Sequence, residues 1–141
     1  MKPAILNNLF TCTGCYTCAL ACKVARNPPE DIWLTKVITN GKTGSPYLDD
    51  PAGSWSDPST LKITWTPVHY PQCDLCASLP PPAPYCVYNC PIRAKTCGDL
   101  DDPTSKISLT WKDLEQRGYT IYQLPDAGSA TRAAIYYADK K

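Results

Sequence analysis

Eight of the nine cysteines fall into two groups of four, and their spacing is suited to binding metal clusters. The first group has the spacing C-x2-C-x2-C-x3-C, which is that of the bacterial iron–sulfur run. The second group has the looser spacing C-x2-C-x9-C-x3-C and is followed directly by Pro91. Four thiolates that converge on one cage hold a [4Fe–4S] cubane, so the sequence predicts two such clusters. The two groups are Cys12, Cys15, Cys18 and Cys22, and Cys73, Cys76, Cys86 and Cys90.

The fourth cysteine of each group predicts how the thiolates divide between the two clusters. Cys18 and Cys22 stand at positions i and i+4 of a predicted helix, so they share one helical face and can point toward adjacent cages. In two-cluster ferredoxins the fourth cysteine of each run ligates the other cluster. The predicted ligands are therefore Cys12, Cys15, Cys18 and Cys90 for cluster 1, and Cys73, Cys76, Cys86 and Cys22 for cluster 2.

Two other uses of clustered cysteines compete with this interpretation. Four-cysteine zinc sites also contain C-x2-C pairs, but three cysteines at consecutive x2 spacing followed by a fourth favour a cluster. A secreted disulfide scaffold usually combines an even number of cysteines with a signal peptide. This chain has nine cysteines, and we therefore expect iron–sulfur clusters rather than zinc or disulfide bonds.

The composition argues against several classes of partner. Charged residues make up 19% of the 141 residues and the formal net charge is +1. This balance gives no electrostatic reason to expect nucleic acid or an anionic membrane surface as a partner. Residues 1–10 have neither the apolar core of a signal peptide nor a twin arginine, and nowhere do 18 apolar residues run together. We therefore expect a protein without direct membrane insertion that is cytoplasmic, or periplasmic only by co-export with a signal-bearing partner.

Short elements must position the thiols, because 15 prolines and 7 glycines leave little room for long ones. We expect a single α+β domain over residues 1–141, with an irregular loop insertion at residues 40–60. Gly14 supplies conformational freedom to the loop between Cys12 and Cys15. Helices are predicted at residues 18–27, 86–90 and 109–117, strands at residues 3–11, 32–38 and 61–66, a polyproline-like loop at residues 79–84, and a last strand or extended arm at residues 133–137.

Three stretches of the chain resemble the ferredoxin-like electron-transfer subunits of the dimethyl-sulfoxide-reductase (molybdopterin oxidoreductase) group. Typical members of that group hold four cysteine groups, whereas this chain resembles their first and last groups joined directly. The resemblance therefore implies a ferredoxin-like fold with two [4Fe–4S] clusters, short strands, short helices and long loops. The three stretches are residues 12–23 with Asn27-Pro28-Pro29 and Trp33, residues 73–77, and residues 90–105.

The resemblance also implies a function and a partner. It identifies the chain as a non-catalytic subunit that relays single electrons to or from a large molybdopterin or tungstopterin catalytic subunit. A redox donor or acceptor protein completes the path, and residues 106–141 form a C-terminal extension that docks on a partner. No residue is expected to be a catalyst. The alternatives are a free-standing soluble ferredoxin with two [4Fe–4S] clusters and, from a different class, a zinc-stabilised interaction module.

Five further residues carry reactive or charged groups that could serve either a functional or a structural role. Cys97, the ninth cysteine, is expected to be a buried free thiol that acts as a small hydrophobe. Lys23 is expected either to lie between a cluster and the partner's cofactor or to be a solvated helix lysine. His69, the one histidine, is expected to be a packed or surface side chain rather than a ligand. Arg93 and Lys95 are expected to be ordinary surface charges.

Overall fold

Short strands and helices alternate along the chain in a computed structural model that describes residues 2–39, 56–60, 64–70, 73–77, 79–80, 84–123 and 134–140. The mixed content confirms the predicted α+β class and is consistent with a ferredoxin-like fold. Within the described residues no helix combines the length and apolar character that crossing a bilayer requires. In chain order the elements are β1 (Pro3–Asn8), α1 (Thr17–Arg26), β2 (Thr35–Thr39), a 3₁₀-helix (Pro58–Thr60), β3 (Trp65–His69), α2 (Tyr85–Tyr88), β4 (Lys95–Asp99), α3 (Lys106–Gln116), β5 (Tyr119–Tyr122) and β6 (Ile135–Lys140).

Strand β1 lies inside a four-stranded sheet with the order β4-β1-β6-β5. It pairs antiparallel with β4 and parallel with β6. Its side chains alternate between two apolar cores, since successive residues of a strand point to opposite faces. Ile5 packs into a core that also contains Cys18 and Cys86, whereas Leu6 packs into a core with α3 residues. The sheet is therefore built directly into the region that holds the cysteines.

Strands β2 and β3 form a separate antiparallel pair in which Thr35 lies opposite His69. The predicted strand at residues 32–38 begins three residues late, and the strand predicted at residues 61–66 begins at Trp65 and continues to His69. Residues 61–63 lie outside the described residues, as do most of the predicted loop at residues 40–60 and the middle of the proline-rich loop at residues 79–84. The Tyr137 hydroxyl donates a 2.6 Å hydrogen bond to the Pro67 carbonyl, which ties this pair to the larger sheet.

Helix α1 carries cysteines of the first group and α2 carries one of the second, and they end one and two residues before their predicted ends. Helix α1 ends at Arg26 with Asn27 in the left-handed region at φ 47°, just before the two prolines. Helix α2 ends at Tyr88, three residues before Pro91. Proline cannot continue a helix, because it lacks the N–H donor. The two helices pack against each other, which brings the two cysteine groups together.

The C-terminal third of the chain contributes more to the sheet than the sequence indicated. Helix α3 begins at Lys106, three residues before the predicted start, because the Ser105 hydroxyl caps it by accepting from the Ser108 amide at 3.3 Å. Strand β4 was not predicted, and β6 realises the strand alternative for residues 133–137. Both take their conformation from pairing with β1. The docking role of residues 106–141 stays a prediction.

Candidate metal centres

Four thiols from three separate segments line one cavity, which we call the first thiol set. Two lie in the loop after β1, one in the first turn of α1 and one after α2. This combination joins three cysteines of the first sequence group to the last cysteine of the second. The first thiol set consists of Cys12, Cys15, Cys18 and Cys90.

Local backbone geometry makes the first thiol set possible. Gly14 has φ +71°, which confirms that this loop needs a residue tolerant of the left-handed region. Tyr16 also takes a positive φ of 65°, and its hydroxyl donates a 2.5 Å hydrogen bond to the Val37 carbonyl on β2. The Ala94 amide donates to the Cys90 sulfur at 3.3 Å. The Tyr16 hydrogen bond thus fixes the loop against β2. The Ala94 amide, from a different segment, is directed at one of the cavity sulfurs.

The other four thiols of the two groups are all buried, and we call them the second thiol set. Cys22 lies on α1, Cys86 lies on α2, and two cysteines lie in the loop after β3. Asp74 holds that loop, because its carboxylate accepts from the Cys76 amide at 3.0 Å and pairs with Arg26 at 3.2 Å. The second thiol set consists of Cys22, Cys73, Cys76 and Cys86.

Thiols of the second set lie close enough together to affect one another's pKa values. Burial, with smaller contributions from the nearby Cys73, Cys18 and Cys22 thiols, raises the pKa of Cys86 to about 12 against the lowering effect of the Lys95 charge. Burial likewise raises the pKa of Cys73 to about 11, with smaller contributions from Cys22 and Cys76. Thiols in this environment stay protonated without a compensating cation. A metal that binds them must therefore displace their protons.

The donor chemistry of both thiol sets fits an iron–sulfur cluster. All nine cysteines lie within the described residues and none forms a disulfide bond there, and thiolates are the ligands on which such clusters depend. Within the described residues no three His, Cys, Asp or Glu side chains form a group that could hold a single metal ion. The four thiols of the first set line a common cavity, and a cubane bound by four thiolates requires such a set.

Lys95 is buried, and the expectation that it is a surface charge was wrong. Its side chain is 5% exposed, and its ammonium donates a 2.6 Å hydrogen bond to the side-chain oxygen of Asn7. Lys95 opens β4 and lies opposite Asn7 on β1, so its burial follows from a strand pairing that the sequence did not reveal. Arg93, by contrast, is exposed as expected.

His69 is packed in the interior beside the second thiol set. Its Nδ1 lies 3.5 Å from the Cys73 sulfur and 3.3 Å from the Thr35 hydroxyl. Burial, and to a smaller extent the charge of Lys95, hold the pKa of the imidazole well below its ordinary value. The Thr35 hydroxyl also lowers the pKa of Cys22, although burial raises it more. The expectation of a packed histidine is confirmed, and the neighbouring cysteine sulfur is the feature that the sequence did not show.

Lys23 and Cys97 both make contacts outside the two thiol sets. The Lys23 ammonium donates to the carbonyls of Pro29, Glu30 and Ile32 and lies 5.0 Å from the centre of the Trp33 ring. It is therefore held by backbone carbonyls rather than freely solvated, and its placement between a cluster and the partner's cofactor stays a prediction. Cys97 is half-buried on β4 and packs against the first core, outside both thiol sets.

Comparison with known proteins supports the resemblance seen in the sequence. No protein-family model matches the chain. The chain is 33% identical over 86 residues to a Halobacterium salinarum protein that is named as an iron–sulfur subunit of a dimethyl sulfoxide reductase. The match covers 59% of this chain but 29% of that relative, so the chain spans under a third of its length. The similarity confirms the predicted resemblance to iron–sulfur subunits of this group.

Proposed function

We propose that the chain is an iron–sulfur electron-transfer subunit that relays single electrons through two [4Fe–4S] clusters. The observation that carries this proposal is the shared cavity of Cys12, Cys15, Cys18 and Cys90. A thiol from the second sequence group joins three from the first, which is the crossed arrangement that two-cluster ferredoxins use. The named role of the similar H. salinarum protein supports the same function.

Each thiol set has a role in this proposal. The first set holds cluster 1 and the second set holds cluster 2. Cys18 and Cys22 are buried one turn apart on the same helix, so the two clusters lie next to each other. A cluster supplies a one-electron couple whose potential depends on nearby charge, hydrogen bonds to sulfur and exposure. The protein orients the clusters and lowers the polarity of their surroundings, and no residue breaks or forms a bond in a substrate.

The proposed partner is a large catalytic subunit with a molybdopterin or tungstopterin cofactor, and a second redox protein donates or accepts the electrons. Leu20 and Val24 support a docked state, because they lie one turn apart on α1 and are 57% and 74% exposed. Apolar side chains exposed together mark interaction surfaces more often than scattered ones do. We place the assembly in the cytoplasm, or in the periplasm by co-export with a signal-bearing partner.

Purification of the native protein tests this assignment against a free-standing ferredoxin. We expect the chain to elute in gel filtration with a larger subunit, and we expect iron together with molybdenum or tungsten in that fraction. A small iron-containing species that elutes alone would support the free ferredoxin instead.

Two charge-introducing variants then locate the contact. Leu20→Lys tests α1, and Leu109→Lys, at a leucine 56% exposed on α3, tests the predicted docking segment at residues 106–141. Both variants should keep their clusters. Reduced co-elution in one of them identifies the docked face, and full co-elution in both would contradict docking through either surface.

A further inference from the structure

Lys95 places a positive charge in the interior of the protein. Its ammonium is held by the side-chain oxygen of Asn7, and Asn7, which is 1% exposed, in turn donates to the Tyr136 carbonyl at 3.2 Å. In the part of the chain that the structure describes, no carboxylate forms an ion pair with Lys95. Its ammonium is thus held by a neutral amide on the adjacent strand.

The same ammonium lies near both thiol sets. Lys95 lines the cavity that contains Cys12 and the rest of the first thiol set. Helix α2, which carries Cys86 of the second thiol set, packs against β4, which begins at Lys95. The Lys95 charge lowers the pKa of Cys86 against the effect of burial. The Lys95 charge likewise lowers the pKa of Cys12, which burial raises. Lys95 is thus a buried cation shared by the two proposed cluster sites.

A buried ammonium needs a negative charge nearby to offset its lost hydration. A hydrogen bond to a neutral amide supplies only part of that compensation. A cubane with four thiolate ligands carries net negative charge, and it becomes more negative when it accepts an electron. The clusters of the proposed function would therefore supply the missing counter-charge, and most strongly in the reduced state.

On the basis of the proposed two-cluster function, we propose that the buried positive charge of Lys95 raises the reduction potentials of both clusters. Each cluster gains one electron from the redox partner on reduction and returns it on oxidation, with no bond made or broken in the protein. The fixed positive charge favours the state with the extra electron. Net charge near a cluster is among the factors that set its potential.

The test is a redox titration of the purified cluster-loaded protein, followed by electron paramagnetic resonance of each reduced cluster. Lys95→Met removes the charge and keeps a long apolar side chain, and we expect both potentials to fall. Lys95→Arg retains the charge and should keep both potentials close to those of the unchanged protein. Lys112→Met is the matched control, because Lys112 is an exposed lysine on α3, and its potentials should not move.

Asn7→Asp provides a second variant in case Lys95→Met does not assemble clusters. The new carboxylate would face the ammonium in place of the amide oxygen that lies 2.6 Å from it, and it would cancel most of the field of Lys95. Both potentials should again fall. Unchanged potentials in Asn7→Asp, or in a cluster-loaded Lys95→Met protein, would overturn the inference, and a fall in one cluster alone would overturn the shared role. These outcomes leave the two-cluster function intact, whereas absence of iron from the unchanged protein would overturn the function itself.

Discussion

Gly14 lies against the indole of Trp65, so that a Cβ on Gly14 would be 2.7 Å from the Trp65 Cγ. The glycine belongs to the loop between Cys12 and Cys15, and the tryptophan opens β3. The close approach therefore joins the loop of the first thiol set to the second sheet.

Gly14→Ala should separate these two elements. The added methyl group requires the indole or the loop to move, and overpacking of this kind costs about 1–3 kcal/mol. The left-handed φ of +71° adds about 1 kcal/mol for a residue with a Cβ. We expect a lower thermal midpoint and partial loss of the cluster held by Cys12, Cys15 and Cys18, measured by iron content.

Gly118→Ala is the matched control for this substitution. Gly118 also has a positive φ, +87°, but a Cβ there would meet no atom within 4 Å. It should therefore bear the backbone cost alone and keep its iron. Equal losses of iron in the two variants would show that the contact with Trp65 is unimportant.

The sequence predicted more of the arrangement of the thiols than of the strand pairing in the sheet. The spacing of the cysteines is local information, and the i, i+4 relation of Cys18 and Cys22 fixes their common face once α1 is recognised. Pro28 and Pro91 also mark the helix ends in the sequence itself. The expected association of Cys90 with the first three cysteines then matches the lining of one cavity.

Burial of Lys95 could not be predicted, because it depends on a pairing between residues 88 positions apart. Strand β4 has the sequence Lys-Thr-Cys-Gly-Asp, which lacks the regular apolar alternation that marks a strand. Its conformation comes from hydrogen bonding to β1. The contact of His69 with Cys73 likewise requires β3 to extend to residue 69, three residues past the predicted end.

The crossed division of ligands predicts which cysteine variants share a spectrum. Cys90→Ala and Cys15→Ala should lose the same paramagnetic signal, whereas Cys86→Ala should lose the other. Cys97→Ala should keep both signals, because Cys97 lies outside both thiol sets. Electron paramagnetic resonance of the reduced proteins measures this directly. If Cys90→Ala instead lost the signal that Cys73→Ala loses, each cluster would be held by one sequence group alone.

Lys23 is expected to stabilise the turn between α1 and β2. Its ammonium donates to the Pro29 and Glu30 carbonyls at 2.7 and 2.8 Å and also to the Ile32 carbonyl. Hydrogen bonds that involve a charged group contribute about 1.5–3 kcal/mol. Because Lys23 is partly exposed, we expect Lys23→Met to lower the free energy of unfolding by about 1–2 kcal/mol. The change should appear in the midpoint of thermal unfolding, with Lys112→Met as the control. A shift no larger than that of the control would contradict this role.

The buried phenol of Tyr122 is expected to make the protein less stable at alkaline pH. Its ring packs 5.8 Å from that of Tyr137, and burial, with a smaller contribution from the Asp139 carboxylate, raises the pKa of the phenol to about 12. The unfolded phenol has a pKa of about 10, so the unfolded state gives up its proton first. The stability contributed by the neutral phenol is therefore fully present below about pH 10 and is lost as pH rises toward 12.

Tyr122→Phe isolates this contribution, because the other alkaline groups titrate equally in both proteins. Thermal midpoints measured from about pH 9 to pH 11.5 should fall less steeply for Tyr122→Phe than for the unchanged protein. Parallel curves would mean that the phenol is not protected by folding.

The most direct test of the central claim is iron and acid-labile sulfide analysis of the purified native protein, combined with its visible spectrum. Two cubanes predict a brown protein with about eight iron atoms and about eight sulfides per chain. Treatment with a reductant should bleach the broad visible absorption, since the clusters accept electrons. A colourless protein that contains zinc or no metal, or one whose cysteines are paired in disulfide bonds, would contradict the account.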